Sequence, residues 1–212
     1  MFELSLLTKQ LMRGNPFLCS INMPAEGPIG SKFPDEDRLS GEVSVLALDI
    51  LERNPSGFEL QGLSSPSMYL VRARIEDDNI TSSGVTIETD SQAIGPLSEI
   101  RFKDLTAESS SAILDAILES INSDPDRHLG FYNRANNLSL KYHAFQLLPG
   151  IGNSKAMQMV KERGGSGWSE FEEIDKSCGI DSAKLLAERY VGEMQDPSES
   201  PSLLDLLVRS KI

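Results

Sequence analysis

FQLLPGIGNSKAMQMVKER, residues 145–163, is the stretch that decides how this chain is read. Phe145, Leu147 and Leu148 close one apolar segment, and Pro149 stops it, because proline has no amide with which to continue a helix. Gly150 and Gly152 allow backbone conformations that a Cβ hinders. Ile151, apolar and between them, pins the turn to a core. Met157, Met159 and Val160 line a second segment, in which Ala156 permits close helix contact. The spacing predicts two antiparallel helices, about 140–148 and 153–163, joined by a sharp turn. The amides of Gly150, Ile151, Gly152 and Asn153 then point outward at the start of the second helix. Unpaired amides at the positive end of a helix dipole hold an anion without any side-chain charge. Ser154 and Lys155 are placed to add contacts to the same phosphate.

This pattern resembles the helix-hairpin-helix motif, apolar-x-x-Leu-Pro-Gly-apolar-Gly-x-x-x-Ala, at Phe145 (or Ala144), Leu148, Pro149, Gly150, Ile151, Gly152 and Ala156. The resemblance implies binding of a nucleic-acid sugar-phosphate backbone through hairpin amides, without reading of base sequence. Phe171-Glu172-Glu173-Ile174, then Cys178-Gly179-Ile180-Asp181 and Ala183-Lys184-Leu185, resembles the degenerate hairpin often found after the first. Asp181 replaces the second glycine and acids crowd the segment, so this copy is read as structural.

Charge sharpens the reading. The chain of 212 residues carries 32 acids and 20 bases, a net charge of −12. Residues 1–126 hold 9 bases and 21 acids, whereas 127–164 hold six bases, Arg127, Arg134, Lys141, Lys155, Lys161 and Arg163, against Glu162 alone. An acidic chain thus has one basic island, centred on the sharp turn, and such an island is where a polyanion is steered. Lys141, Lys161 and Arg134 join the turn residues as expected phosphate contacts.

Outward from the motif the texture changes. Residues 1–40 are broken by Pro16, Pro24, Pro28 and Pro34 and read as an irregular arm with a short helix over 4–12. VSVLALDIL (43–51), MYLVRARIE (68–76) and VTIET (85–89) are short, β-branched and partly alternating, which predicts a small antiparallel sheet or barrel over 41–103. In 68–76, Tyr69, Val71, Ala73 and Ile75 face one way and Arg72, Arg74 and Glu76 the other. Turn signals at 54–57 and 77–79 separate these runs. From 104 to 195 the period is helical: Ile113, Leu114, Ile117, Leu118 and Ile121 form one apolar face. Asp124-Pro125 starts a second helix, Asn136-Asn137 stops it, and two further helices fall near 169–177 and 181–195. Residues 196–212 are a polar linker and a short apolar end.

The order of a strand-rich region, Arg101-Phe102-Lys103-Asp104-Leu105-Thr106, an acidic helix, Phe131-Tyr132-Asn133-Arg134-Ala135, His143, LLPGIG and Phe171-Glu172-Glu173-Ile174 resembles an archaeal family of unknown function. That family is regarded as pairing an OB-type barrel with a helix-hairpin-helix region and as binding RNA or DNA; the likeness covers roughly 43–195. It implies an α+β fold, a small OB-like antiparallel β-barrel followed by a helical helix-hairpin-helix domain. The chain departs from the family at 85–95, which has no base where the family tends to be basic. The implied function is sequence-independent nucleic-acid binding, RNA slightly favoured over DNA. The alternative is an acidic adaptor for basic proteins such as ribosomal proteins.

Enzymatic readings fit less well. Glycosylases with this hairpin place a lysine two residues after the second glycine; here that position is Ser154, with Lys155 one residue late, and Asp175 lacks the expected neighbours. Gly164-Gly-Ser-Gly167 lacks the Lys and Ser/Thr of a phosphate loop. Thr81-Ser82-Ser83-Gly84 has no base to activate a hydroxyl. His143 is expected at a helix interface, with a phosphate contact as the alternative. Trp168 is read either as stacking on a base or as buried under the last helices, and Arg72 and Arg74 are the sheet's best phosphate contacts. Two cysteines and two histidines argue against a Cys/His metal cluster. No catalytic residue, metal or cofactor is assigned. The start lacks a basic region before an apolar run, and no stretch nears the ~18 apolar residues of a membrane span, so the protein is expected to be soluble, cytoplasmic and free of membrane contact.

Overall fold

Residues 44–52, 58–65 and 70–75 build the sheet, and their apolar side chains divide between two separate cores. A computed structural model describes residues 38–53, 57–76 and 82–210. The expected helix at 4–12 and the turn signals at 54–56 and 77–79 lie outside these residues. Strands β1 (Ser44–Glu52), β2 (Phe58–Ser65) and β3 (Leu70–Ile75) form an antiparallel meander, with β4 (Thr86–Glu88) beside β1 and β5 (Ser98–Glu99) beside β3. The closed barrel expected from the sequence is instead an open five-stranded sheet: among the described residues β4 and β5 do not pair. They are three and two residues long, too short to complete the ring.

Val45, Ala47, Leu60, Val71, Ala73, Ile75, Ile87 and Ile94 form the core on one face of this sheet. Leu48, Leu63, Met68 and Leu70 turn the other way and join the helical core. A bulge in β1 between Ala47 and Asp49 resets the alternation. Ile50 therefore continues the first face, and Asp49 is delivered to the helix side. There Thr106 Oγ1 donates to Asp49 Oδ2 at 2.6 Å while accepting from Ser109 N, which caps α1 (Ala107–Ser123). Gln61, buried in central strand β2, accepts from Thr106 N at 2.9 Å and donates to Asp104 O at 3.2 Å. These bonds fix the start of α1 on the sheet. Its face of Ile113, Ala116, Ile117 and Ile121 is buried.

The remaining helices are α2 (Pro125–Arg134), α3 (Asn153–Arg163), α4 (Phe171–Cys178) and α5 (Ser182–Gln195), close to the predicted spans. Sheet and helices belong to one compact unit, Asp37–Ile212, within which strands give way to helices near residue 103. The helix predicted over 140–148 is a correction. Asn137–Ser139 (β6) and Tyr142–His143 (β7) form a two-stranded hairpin, followed by a single 3-10 turn, Ala144–Leu147. Leu138, Leu140 and Tyr142 recur at a period of two, which suits a strand. The turn is short because His143 Nδ1 accepts from Phe145 N at 3.1 Å at one end and Pro149 ends it at the other.

The C-terminal piece is a short helical turn, Leu204–Val208. Buried Glu193 receives Arg189 Nε and Ser202 Oγ, and accepts from Leu203 N and Leu204 N at 2.8 and 3.0 Å. Arg127 donates to the carbonyls of Pro66, Leu207 and Val208, and Arg209 to those of Ser67 and Met68.

Two stability predictions follow from this packing. A Cβ on Gly62 would stand 2.5 Å from Val45 Cγ1 and 2.6 Å from Leu46 O. Gly62→Ala should therefore cost about 2–3 kcal/mol, read from urea unfolding, because backbone in a central strand cannot yield. Buried His128, whose Nδ1 lies 3.0 Å from Tyr190 Oη, is held down to about 4, chiefly by burial and then by Arg127. Its folded pKa lies below its unfolded value, so protonation favours unfolding. Stability should be complete above about pH 6.5 and fall toward pH 4 by on the order of 3 kcal/mol more than in His128→Gln. Parallel stability–pH curves for the two proteins would contradict this.

Candidate functional site

The turn at 149–152 follows from its residue types. Gly150 has φ +75°, a region costly for side-chain-bearing residues, whereas Gly152 has φ −83° and ψ 174°, open to any residue. The special conformation is thus required at Gly150. At Gly152 the missing Cβ leaves the start of α3 uncovered, with no side-chain cap. Buried Ile151 donates its amide to Leu148 O at 3.2 Å, so, contrary to expectation, this amide does not face an anion: it is engaged in closing the turn. The amides of Gly150, Gly152, Asn153, Ser154 and Lys155 have no acceptor among the described residues. Gly150, Gly152, Asn153 and Ser154 are exposed.

The basic island separates into two groups. Arg163, its guanidinium over the Phe145 ring, donates to the carbonyls of Tyr132 and Ala135 at 3.1 and 2.6 Å, and burial lowers its pKa. Arg127 is likewise engaged with carbonyls of the C-terminal piece. Lys155 donates to Cys178 O at the end of α4 and to Gln158 Oε1. These three are structural anchors, and only the half-buried Lys155 stands beside the amides. Lys141 and Lys161 are exposed, with no acceptor for their ammonium groups among the described residues. Arg134, also exposed, donates among the described residues only to Gly130 O of its own helix. The structure therefore does not gather all the predicted contacts around one phosphate.

A groove of about 560 Å³ separates this turn from the next. Pro149, Gly150, Ile151 and Lys155 line one wall, and Ile180, Asp181, Lys184 and Glu188 the other. Gly179, at φ +64°, closes α4, and Asp181 Oδ1 accepts from Lys184 N at 3.1 Å. The aspartate thus satisfies at α5 the type of donor left open at α3. Lys184, missed by the sequence reading, shares the groove with Lys155. Both stand three residues after the end of a Gly-Ile-x turn (Gly152, Asp181), and that repeat was the available signal. Glu188 and Glu199 line an adjoining groove along 146–152, so acids flank the turn.

Several other residues prove structural. Asp175 accepts from Ser182 N and Oγ at 2.7 and 2.5 Å. Trp168 is buried and donates from Nε1 to Ser177 Oγ. His143 is buried, its pKa lowered by desolvation and by Arg163. Burial pushes the Cys178 thiol up. Arg74 lies 3.7 Å from Glu76, and Arg72 is exposed on β3. Among the described residues no group of His, Cys, Asp or Glu is arranged to hold a metal, and no helix is long and apolar enough to cross a membrane.

The fold and site define an α+β protein with an open antiparallel sheet, a helical layer and an exposed glycine turn carrying free amides. The chain belongs to a family described as protein of unknown function (DUF655), whose profile matches residues 58–203. An uncharacterized protein of Methanocaldococcus jannaschii, MJ0038, is 24% identical over 97 residues, which are 46% of this chain and 45% of that one. The crystal structure of Af1531 from Archaeoglobus fulgidus, described as belonging to the same family, superposes with a TM-score of 0.70 at 20% identity. The match covers 77% of this chain and 99% of that one. The archaeal relationship expected from the sequence thus holds at the level of family and fold.

The two glycines should respond differently to one substitution. Neither position has an atom within 4 Å of an added Cβ, so only backbone conformation and capping count. Gly150→Ser should cost about 1–2 kcal/mol for its positive φ. Gly152→Ser should be neutral or stabilising by a few tenths of a kcal/mol (~0.3), because serine is the better N-cap. Thermal unfolding of both variants checks the order.

Proposed function

We propose that this protein binds nucleic-acid backbone without reading sequence, RNA somewhat in preference to DNA. The observation that carries this is the run of acceptor-free amides at Gly152, Asn153, Ser154 and Lys155 at the start of an eleven-residue helix. Such a helix start favours phosphate by both hydrogen bonding and dipole. The 3-10 turn, PGIG and α3 are read as a helix-hairpin-helix unit whose first helix is reduced to one turn. Helices α4 and α5 are read as its degenerate partner. The meander with β4 and β5 on its two edges lacks one strand pairing of closure and is read as an OB-type sheet, a partly open barrel in that class. Preference for RNA rests on the family resemblance alone.

A second reading has its own support. Asp181, Glu188 and Glu199 flank the turn, and an acidic adaptor for basic proteins would use that surface. Titration with single- and double-stranded RNA and DNA separates the two.

The decisive variant is Gly152→Asp. An aspartate there would cap α3 as Asp181 caps α5, taking the Lys155 amide and repelling phosphate from the others. The protein should be as stable as wild type or more so, and should lose nucleic-acid binding. Undiminished binding by this variant would overturn the reading. Exposed Lys141, Lys161 and Arg134 are the cations of this region not engaged as anchors. With about two to four phosphates neutralised, the slope of log K against log salt should lie at about −1.5 to −3.5, with affinity of about 10⁻⁴ to 10⁻⁶ M.

A further inference from the structure

The β6–β7 hairpin carries apolar side chains that stay exposed among the described residues. Ser139 pairs with Tyr142, which leaves Leu140 and Lys141 as the connecting pair. Leu140 is fully exposed, and Leu138 and Tyr142 each keep 41% exposure. Three exposed apolar side chains within five residues of one hairpin suit a contact surface. The base of the hairpin is firmly held. His143 is buried 4.6 Å from the Phe145 ring, Ala144 N donates to Asn136 O, and Tyr142 Oη donates to Gln146 O at 2.9 Å. Gln146 in turn lines the groove that runs along the glycine turn. Tip and turn are therefore joined by the short rigid segment 143–148.

Charge identifies the partner. Residues 127–161 contain no acid, in a chain with 32, and Arg134, Lys141 and Lys161 are the exposed cations of that run. A surface that interleaves leucine and tyrosine with lysine suits a polyanion that also offers flat apolar faces. Unpaired nucleobases provide both, whereas a continuous duplex hides its base faces. We infer that Leu140 and Tyr142 contact unpaired bases while the amides of α3 hold the adjoining backbone. The substrate class is then single-stranded or looped nucleic acid. The inference rests on the proposed backbone-binding function.

The full chain is titrated by fluorescence anisotropy with a single-stranded oligonucleotide of about 12 nucleotides, a typical site length, and with its duplex. Wild type should prefer the single strand. Leu140→Ser/Tyr142→Ala should lose about tenfold in single-strand affinity, the scale of one lost stacking contact, with duplex affinity unchanged. Tyr142→Phe should retain wild-type affinity, and wild type should alter the emission of a 2-aminopurine placed in the strand. If wild type binds and Gly152→Asp does not, but the tip variant equals wild type on both probes, the tip inference fails and the backbone function stands. Absence of binding by wild type overturns both. Concentration-dependent self-association in sedimentation, abolished by the tip variant while nucleic-acid affinity is kept, makes the tip an interface between copies and also overturns the inference.

Discussion

A single buried carboxamide, that of Gln61, sets the relation between the sheet and everything after it. It lies on central strand β2 and bonds both the amide of Thr106 and the carbonyl of Asp104. A buried amide left unmatched costs its full desolvation, so the chain leaving the sheet has one favourable position at Thr106. That position starts α1, and the buried face of α1 supplies the surface on which the helical core is built. The glycine turn inherits its placement through Phe145, Leu148 and Ile151, all in the same core.

Guanidinium groups do much of the fastening elsewhere. Arg127, Arg163 and Arg209 donate to backbone carbonyls at loops and helix ends, where no regular ladder is available to take those acceptors. A planar group with five donors suits this use better than an ammonium. The basic island of the sequence is therefore partly a structural device. What remains for a partner is a lysine-weighted set, exposed and spread along β6–β7 and α3, within an acidic whole. Any steering of a polyanion is local to that set and is opposed at longer range.

Most helices were legible because their signals are local: Asp124-Pro125 opens α2, the 164–167 glycines end α3, and Asp181 caps α5. The glycine turn was legible for the same reason, since Pro149 and Gly150 each narrow the backbone choices by themselves. Strand β2 was not, because FELQGLSS has neither β-branched residues nor clean alternation. Its identity comes from pairing on both sides, with Gly62 admitting the close approach of β1. A hairpin and a 3-10 turn stand where a helix is expected over 140–148, because Leu138, Leu140 and Tyr142 follow a period of two that the motif after them masks. The Ile151 amide and the arginines could not be assigned from sequence. Which donor meets which carbonyl is decided by tertiary placement.

The two Gly-Ile-x turns offer an internal comparison that composition alone would obscure. At the head of α5, the Asp181 carboxylate accepts from Lys184 N and that of Asp175 from Ser182 N, and the helix gains a cap. At the head of α3, Gly152 meets them with nothing, although no neighbouring atom would obstruct a serine or aspartate there. Packing therefore does not require the glycine, and capping would favour another residue. The conformational argument that does hold for Gly150, at positive φ, is absent. What the glycine provides is access: donors aligned by the helix, exposed, and approachable to within hydrogen-bond distance. Under the proposed reading that access is the function, and the capped second turn shows how carboxylates close it.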